Sequence, residues 1–173
     1  TMSRLTSMSP AALKAVFSPD SDSDLITLIT FYDGTTGSEL AKICDGYTER
    51  ISETADEVIY GVISRTKSYT FLPVQVTLPT EDEAQSPRCT LNIYDVTRYL
   101  TPIIRSLTAP PRVKLELVLN STPNTVELSF DYLYITSITY NKDAVNCELT
   151  MINLEREPFP VHVMSPTYFP GLF

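Results

Sequence analysis

Thirteen prolines punctuate this chain of 173 residues, and the last cluster constrains the fold most. From Glu157 to Phe173 the sequence reads EPFPVHVMSPTYFPGLF, with Pro158, Pro160, Pro166 and Pro170 set among Phe159, Tyr168, Phe169 and Phe173. Proline lacks an N–H donor and fixes φ, and it pushes the preceding residue out of the helical region. This stretch therefore cannot be a helix and is a poor central strand. It is also too apolar for a solvated tail, because disordered tails are polar and poor in aromatics. We read it as an extended arm lying in a groove, either on its own domain or on a neighbour. A C-terminal strap closing its own core is the alternative.

Away from the arm the bias is towards strands. Tyr and Thr are plentiful and Gly is scarce, and Tyr, Thr, Val and Ile favour pleated, half-buried positions. The length suits one domain with a real core, residues 1–154, with 47–70 as a small inserted hairpin or loop and 155–173 as the arm. The net charge of −8 argues against a nucleic-acid-binding surface, which needs clustered Lys and Arg. Three widely spaced cysteines, Cys44, Cys89 and Cys147, form no CxxC pair. They fit a reducing compartment and small buried side chains rather than a disulfide framework. No run approaches the roughly 18 apolar residues of a membrane span.

Several elements can be placed. Ser9 is an N-cap and Pro10 suits the first position of a short helix with Leu13, Val16 and Phe17 at helical spacing. LITLITFYD, Leu25 to Asp33, is apolar on both alternations, so both faces of that strand are expected to be covered. Ser38 to Cys44 and Val58 to Val62 are further strands, and Pro73 breaks the run from Tyr69 to Leu78. RCTLNIY alternates Cys89, Leu91 and Ile93 against Arg88, Thr90 and Asn92. Asp95 caps a helix over VTRYLTPIIRSL, with Pro102 kinking it or marking a restart at Thr101. After Pro110 and Pro111, Val113, Leu115, Leu117 and Leu119 alternate inward. A turn follows at Thr122-Pro123-Asn124, then long strands turned at Asn141-Lys142-Asp143. The expected fold is mainly β, an antiparallel barrel or sandwich with two short helices and an extended C-terminal arm.

A search for chemistry returns no complete set. The single histidine, His162, sits in the arm, and no GxSxG, HExxH, phosphate-cradling glycine loop or Cys/His metal spacing is present. The acidic run Glu81, Asp82 and Glu83 reads as an exposed loop, since hard-cation sites need patterned ligands with a glycine. Glu127 and Asp131, four apart on a strand, read as a solvated face. We expect no enzyme activity and no cofactor.

The residues also carry a resemblance. Arg88, Leu91, Ile93, Asp95-Val96, Arg98, Pro110-Pro111, Val113 to Leu119, Glu157 to Pro160 and Phe169 to Phe173 follow a pattern similar to a tail-protein family of long-tailed bacteriophages and prophages. The matching runs are Arg88 to Leu128 and Asn153 to Phe173. This resemblance implies a structural part of the virion tail tip. It would be a distal-tail ring or a hub, a trimer or hexamer, meeting tail tube, tape measure, hub and fibre proteins. Hub relatives with an iron–sulfur cluster use four cysteines, which this chain lacks. That favours a cluster-free ring protein, with a trimeric hub or a tail-tip hydrolase as alternatives. The contact residues so implied are Glu157, Pro158, Phe159, Pro160, Tyr168, Phe169, Pro170 and Phe173 of the arm, with Arg88, Arg98 and Arg105 pairing with acidic surfaces. A carbohydrate-binding sandwich is a third reading; it requires exposed aromatics on one rigid face.

Overall fold

The computed structural model describes residues 8–18, 23–53, 58–78, 88–94, 99–107, 109–141 and 144–151. In chain order the elements are α1 (Pro10–Phe17), β1 (Leu25–Tyr32), β2 (Glu39–Cys44), β3 (Glu49–Glu53), β4 (Val58–Ser64), β5 (Lys67–Phe71) and β6 (Val74–Thr77). Then follow β7 (Arg88–Ile93), α2 (Leu100–Ser106), β8 (Arg112–Leu119), β9 (Thr122–Tyr140) and β10 (Val145–Thr150). The protein is mainly β, and its strands form one sheet in the order β3-β4-β5-β2-β1-β8-β9-β10-β7-β6. Every pairing is antiparallel except the short one between β2 and β5. The ladder is not closed as a barrel would require; β3 and β6 are its ends among the described residues.

The connection between β5 and β6 nevertheless forces the sheet to roll. These strands occupy the third and tenth positions of the order, yet only Leu72 and Pro73 join them. Seven strand spacings across a flat sheet would be about 34 Å, whereas three Cα–Cα steps reach at most about 11 Å. The two halves must therefore face each other. Hydrogen bonds hold the junction: Leu72 N–H donates to Cys44 O, and Tyr94 N–H to Pro73 O. Proline suits this place because its missing donor is not needed where the strand changes partners.

Rolling encloses the main core. Ile29 and Phe31 of β1, Ala41 and Ile43 of β2, Leu91 and Ile93 of β7, Val113 and Leu115 of β8, Leu133 of β9, Leu149 of β10 and Leu72 share one buried cluster. Leu100 of α2 plugs into it. The helix begins at Leu100, so Pro102 falls in its first turn, where no intrahelical N–H bond is lost. The expected cap, Asp95, lies outside the described residues, as do Val96 and Arg98.

A second layer covers the outer face of β1 and β8. Ile26 and Leu28 of β1, Cys44, and Val118 of β8 pack against Val62 of β4 and Tyr69 of β5. Both alternations of β1 are thus buried, as its sequence implies. Strands β3 to β5, which cover the stretch expected as a small inserted hairpin or loop, supply this layer and belong to the same sheet. Residues Arg65 and Thr66 turn β4 into β5 with positive φ, the conformation that a two-residue hairpin turn demands. Ser64 Oγ donates to Pro123 O (2.6 Å) and Arg65 N–H to Asn124 Oδ1 (2.7 Å). These bonds clip the turn onto the start of β9. The β8–β9 turn itself falls at Asn120-Ser121, with Pro123 already inside β9.

Helix α1 packs Ala12 against Leu119 in a third small cluster. Its N-cap is Ser9, whose Oγ accepts from Ala12 N–H (3.2 Å).

Candidate functional site

The surface that stands out is built by the second layer. Successive inward residues of β4 are Val58, Tyr60, Val62 and Ser64, by strand alternation. Val62 and Ser64 are buried between the layers. Tyr60 and Val58 run past the covered part and are 46% and 41% exposed. Tyr47, 59% exposed, leans on Tyr60 at 5.4 Å between ring centroids and on Phe71 at 5.2 Å. The result is an apolar rim of three aromatic rings and Val58, continuous with the second core. Beside it the edge strand β3 carries Glu49, Arg50, Ser52 and Glu53, and Arg50 pairs with Glu53 at 2.7 Å. Charge on an edge discourages unregulated strand pairing. The apolar rim, rather than the edge, is the part suited to docking.

The outer face of β1, β8 and β9 carries a chain of charges. Glu116 is buried and receives Arg65 through two bonds, Nη1 to Oε1 at 3.1 Å and Nη2 to Oε2 at 2.5 Å. Lys114 Nζ lies 3.1 Å from Glu116 and 3.0 Å from Asp131. Burial is the largest effect on Glu116 and opposes its ionisation. The hydrogen bonds and charges of Arg65 and Lys114 together outweigh it and hold the carboxyl below its ordinary value. Further along, Glu39 binds both Lys42 and Lys67. Asp45 is different: burial, its largest influence, pushes its carboxyl up, against the hydrogen bond that it accepts from Thr27 N–H at 2.7 Å.

Glu127 and Asp131 do not share a solvated face. Glu127 is buried and accepts from Ser9 N–H (2.8 Å) and Ser9 Oγ (2.9 Å), so it fastens α1 to β9. Asp131 remains exposed beside Lys114. The pairing of β8 with β9 shifts register three times, and each shift changes which residues point outward. Strict alternation could not anticipate this.

All three cysteines are free and buried. Burial pushes the thiols of Cys44 and Cys89 up to about 12 and that of Cys147 up to about 11, which suits packing and not nucleophilic chemistry. Among the described residues no group of three or more His, Cys, Asp or Glu is placed to hold a metal ion. No helix among them is long and apolar enough to cross a membrane.

Of the contact residues expected from sequence, Arg88 opens β7 and Arg105 lies in the last turn of α2, both exposed. Arg98 and the arm residues Glu157, Pro158, Phe159, Pro160, Tyr168, Phe169, Pro170 and Phe173 lie outside the described residues, as does His162. The Tyr47–Tyr60 rim was not singled out in sequence. Its signal was Tyr60 at the same alternation as Val58 and Val62, one tyrosine more than a covered strand needs. No protein-family model, curated protein or solved structure matches the chain.

Proposed function

We propose that the chain is a structural component of a bacteriophage tail tip, a ring segment linking the tail tube to hub and receptor-binding or fibre proteins. The phage assignment rests on the motif resemblance over Arg88 to Leu128 and Asn153 to Phe173. The structural observation in favour of assembly is the rim of exposed Tyr47 and Tyr60 resting on half-buried Phe71. A closed ring needs two different patches on each subunit, one to give and one to receive. In this reading the rolled, sandwich-like β domain is the ring segment. The C-terminal arm, through Phe159, Tyr168, Phe169 and Phe173, docks on a neighbour, and Arg88, Arg98 and Arg105 meet acidic surfaces there. DNA passes a negatively charged wall without being read. The protein acts in the virion after being made in the host cytoplasm.

Tyr47 and Tyr60 also bear on the carbohydrate-binding reading, which needs aromatics on a rigid face. Their planes are 51° apart, and Tyr47 meets Phe71 at 70°. Rings so tilted form a packed cluster and not the flat platform on which a sugar ring stacks.

Light scattering of the full chain and of a version lacking residues 155–173 tests the assembly reading. We expect trimers or hexamers for the full chain and a folded monomer for the truncation. A truncated protein that still assembles, or still builds tails in infected cells, would sink it.

A further inference from the structure

We propose that the pocket beside Arg112 binds the carboxylate of a free acid with an aromatic body. This site is independent of the assembly reading and would stand if that reading failed.

Arg112 opens β8 and lies across from Tyr32 of β1 and Tyr134 of β9. By alternation it points to the outer face, opposite to the buried Val113. Its guanidinium sits over the Tyr134 ring, 5.7 Å from the centroid. A pocket of about 380 Å³ opens there, lined by Tyr32, Gly37, Arg112, Val113, Lys114 and Asp131. It marks the place where the second layer stops and the outer face of the sheet is left uncovered.

The neighbouring cations are already matched. Arg65 binds Glu116, Lys42 and Lys67 bind Glu39, and Lys114 is shared by Glu116 and Asp131. Arg112 has no carboxylate partner among the described residues, and its Nε is buried without a hydrogen-bond partner. Nε itself is closed to a water-sized oxygen, so an incoming carboxylate meets the edge of the guanidinium that lines the pocket. The planar guanidinium fork takes two oxygens of one carboxylate or phosphate, so the choice between them falls to the charge and character of the lining. Tyr32 and Tyr134 give the flanking surface an aromatic character that suits an apolar body. Asp131 sets the charge: with Arg112 and Lys114 it leaves the lining at +1, which fits a monoanion and opposes a phosphate dianion.

A free aromatic acid offers this chemistry, whereas the acidic run of residues 79–87, PTEDEAQSP, carries three carboxylates and no aromatic ring. The full chain is titrated with benzoate, with a capped peptide of residues 79–87, and with inorganic phosphate. The readout is the backbone amide resonance of Gly37, which lines the pocket and is present in every variant. We expect a saturable shift with benzoate, weakened about tenfold or more in Arg112→Gln. Binding of the peptide as tight as that of benzoate would show that the pocket does not select an aromatic monoanion and would overturn the proposal. Asp131→Asn leaves Arg112 in place and should tighten benzoate severalfold, so the test survives if Arg112→Gln fails to fold. No shift with benzoate, equal binding by phosphate, or unchanged affinity in Asp131→Asn would overturn the proposal.

Discussion

Glu116 of β8 and Glu127 of β9 are both buried, each for a different reason. Glu116 is held by a cation from a hairpin turn 51 positions away; Glu127 holds a helix cap 118 positions away. The first has a pH signature. Its folded-state carboxyl titrates below the ordinary value of 4.5. The stability contributed by its ionised form is therefore fully present above that ordinary value and is lost as pH falls through the lower, folded-state value. Glu116→Gln should cost about 1–3 kcal/mol near neutrality, discounted towards the lower end because Arg65 is 41% exposed. The difference from the natural protein should shrink as pH falls through the folded-state value, where Glu116 itself becomes protonated. Urea unfolding of both proteins from neutral pH down into the acid range checks this, and a gap that stays constant would mean that Glu116 matters through shape alone.

Among the elements, the β3–β5 layer depends on one close approach. A Cβ at Gly61 would lie 1.9 Å from Tyr69 O and 2.5 Å from Ile51 Cδ1, so only glycine lets β4 sit against β5 at that point. Gly61→Ala should destabilise by at least about 1–3 kcal/mol through overpacking. The Tyr47–Tyr60–Phe71 cluster should loosen first, read as loss of near-ultraviolet circular dichroism and a lower urea midpoint. Much of the element plan was legible beforehand. Ser9 and Pro10 announced α1, the double alternation of β1 announced two covers, and Cys89, Leu91 and Ile93 announced the inner face of β7. What stayed hidden depends on distant partners or on broken periodicity. Thr66 has no turn-forming chemistry of its own, and its positive φ is fixed by the docking of Ser64 and Arg65 onto Pro123 and Asn124. Phe130 and Leu133 both point into the main core, three apart where a regular strand requires an even number. The Arg112 pocket was equally hidden, because it exists only where β1, β8 and β9 lie side by side and the second layer ends.

At the scale of the whole molecule, the two-residue link between β5 and β6 is the tie that keeps the sheet rolled. Inserting Gly-Ser-Gly-Ser between Leu72 and Pro73 triples that link and should cost about 1 kcal/mol in closure entropy. The same insertion between Thr35 and Thr36, in the exposed turn after β1, serves as the control. An equal urea midpoint for the two insertions would show that the link carries no such tension. The sheet order also bears on time. Strand β1 pairs with β8, which begins about 80 residues after β1 ends. At a synthesis rate of about 5–20 residues per second, β1 emerges from the ribosome some 4–16 seconds before its central partner. During that interval β2 can pair with one edge of β1, while the other edge waits for β8. Pairings so far apart in sequence make folding slow, and the newborn chain passes through a stage at which premature association with another copy competes with completion of its own sheet.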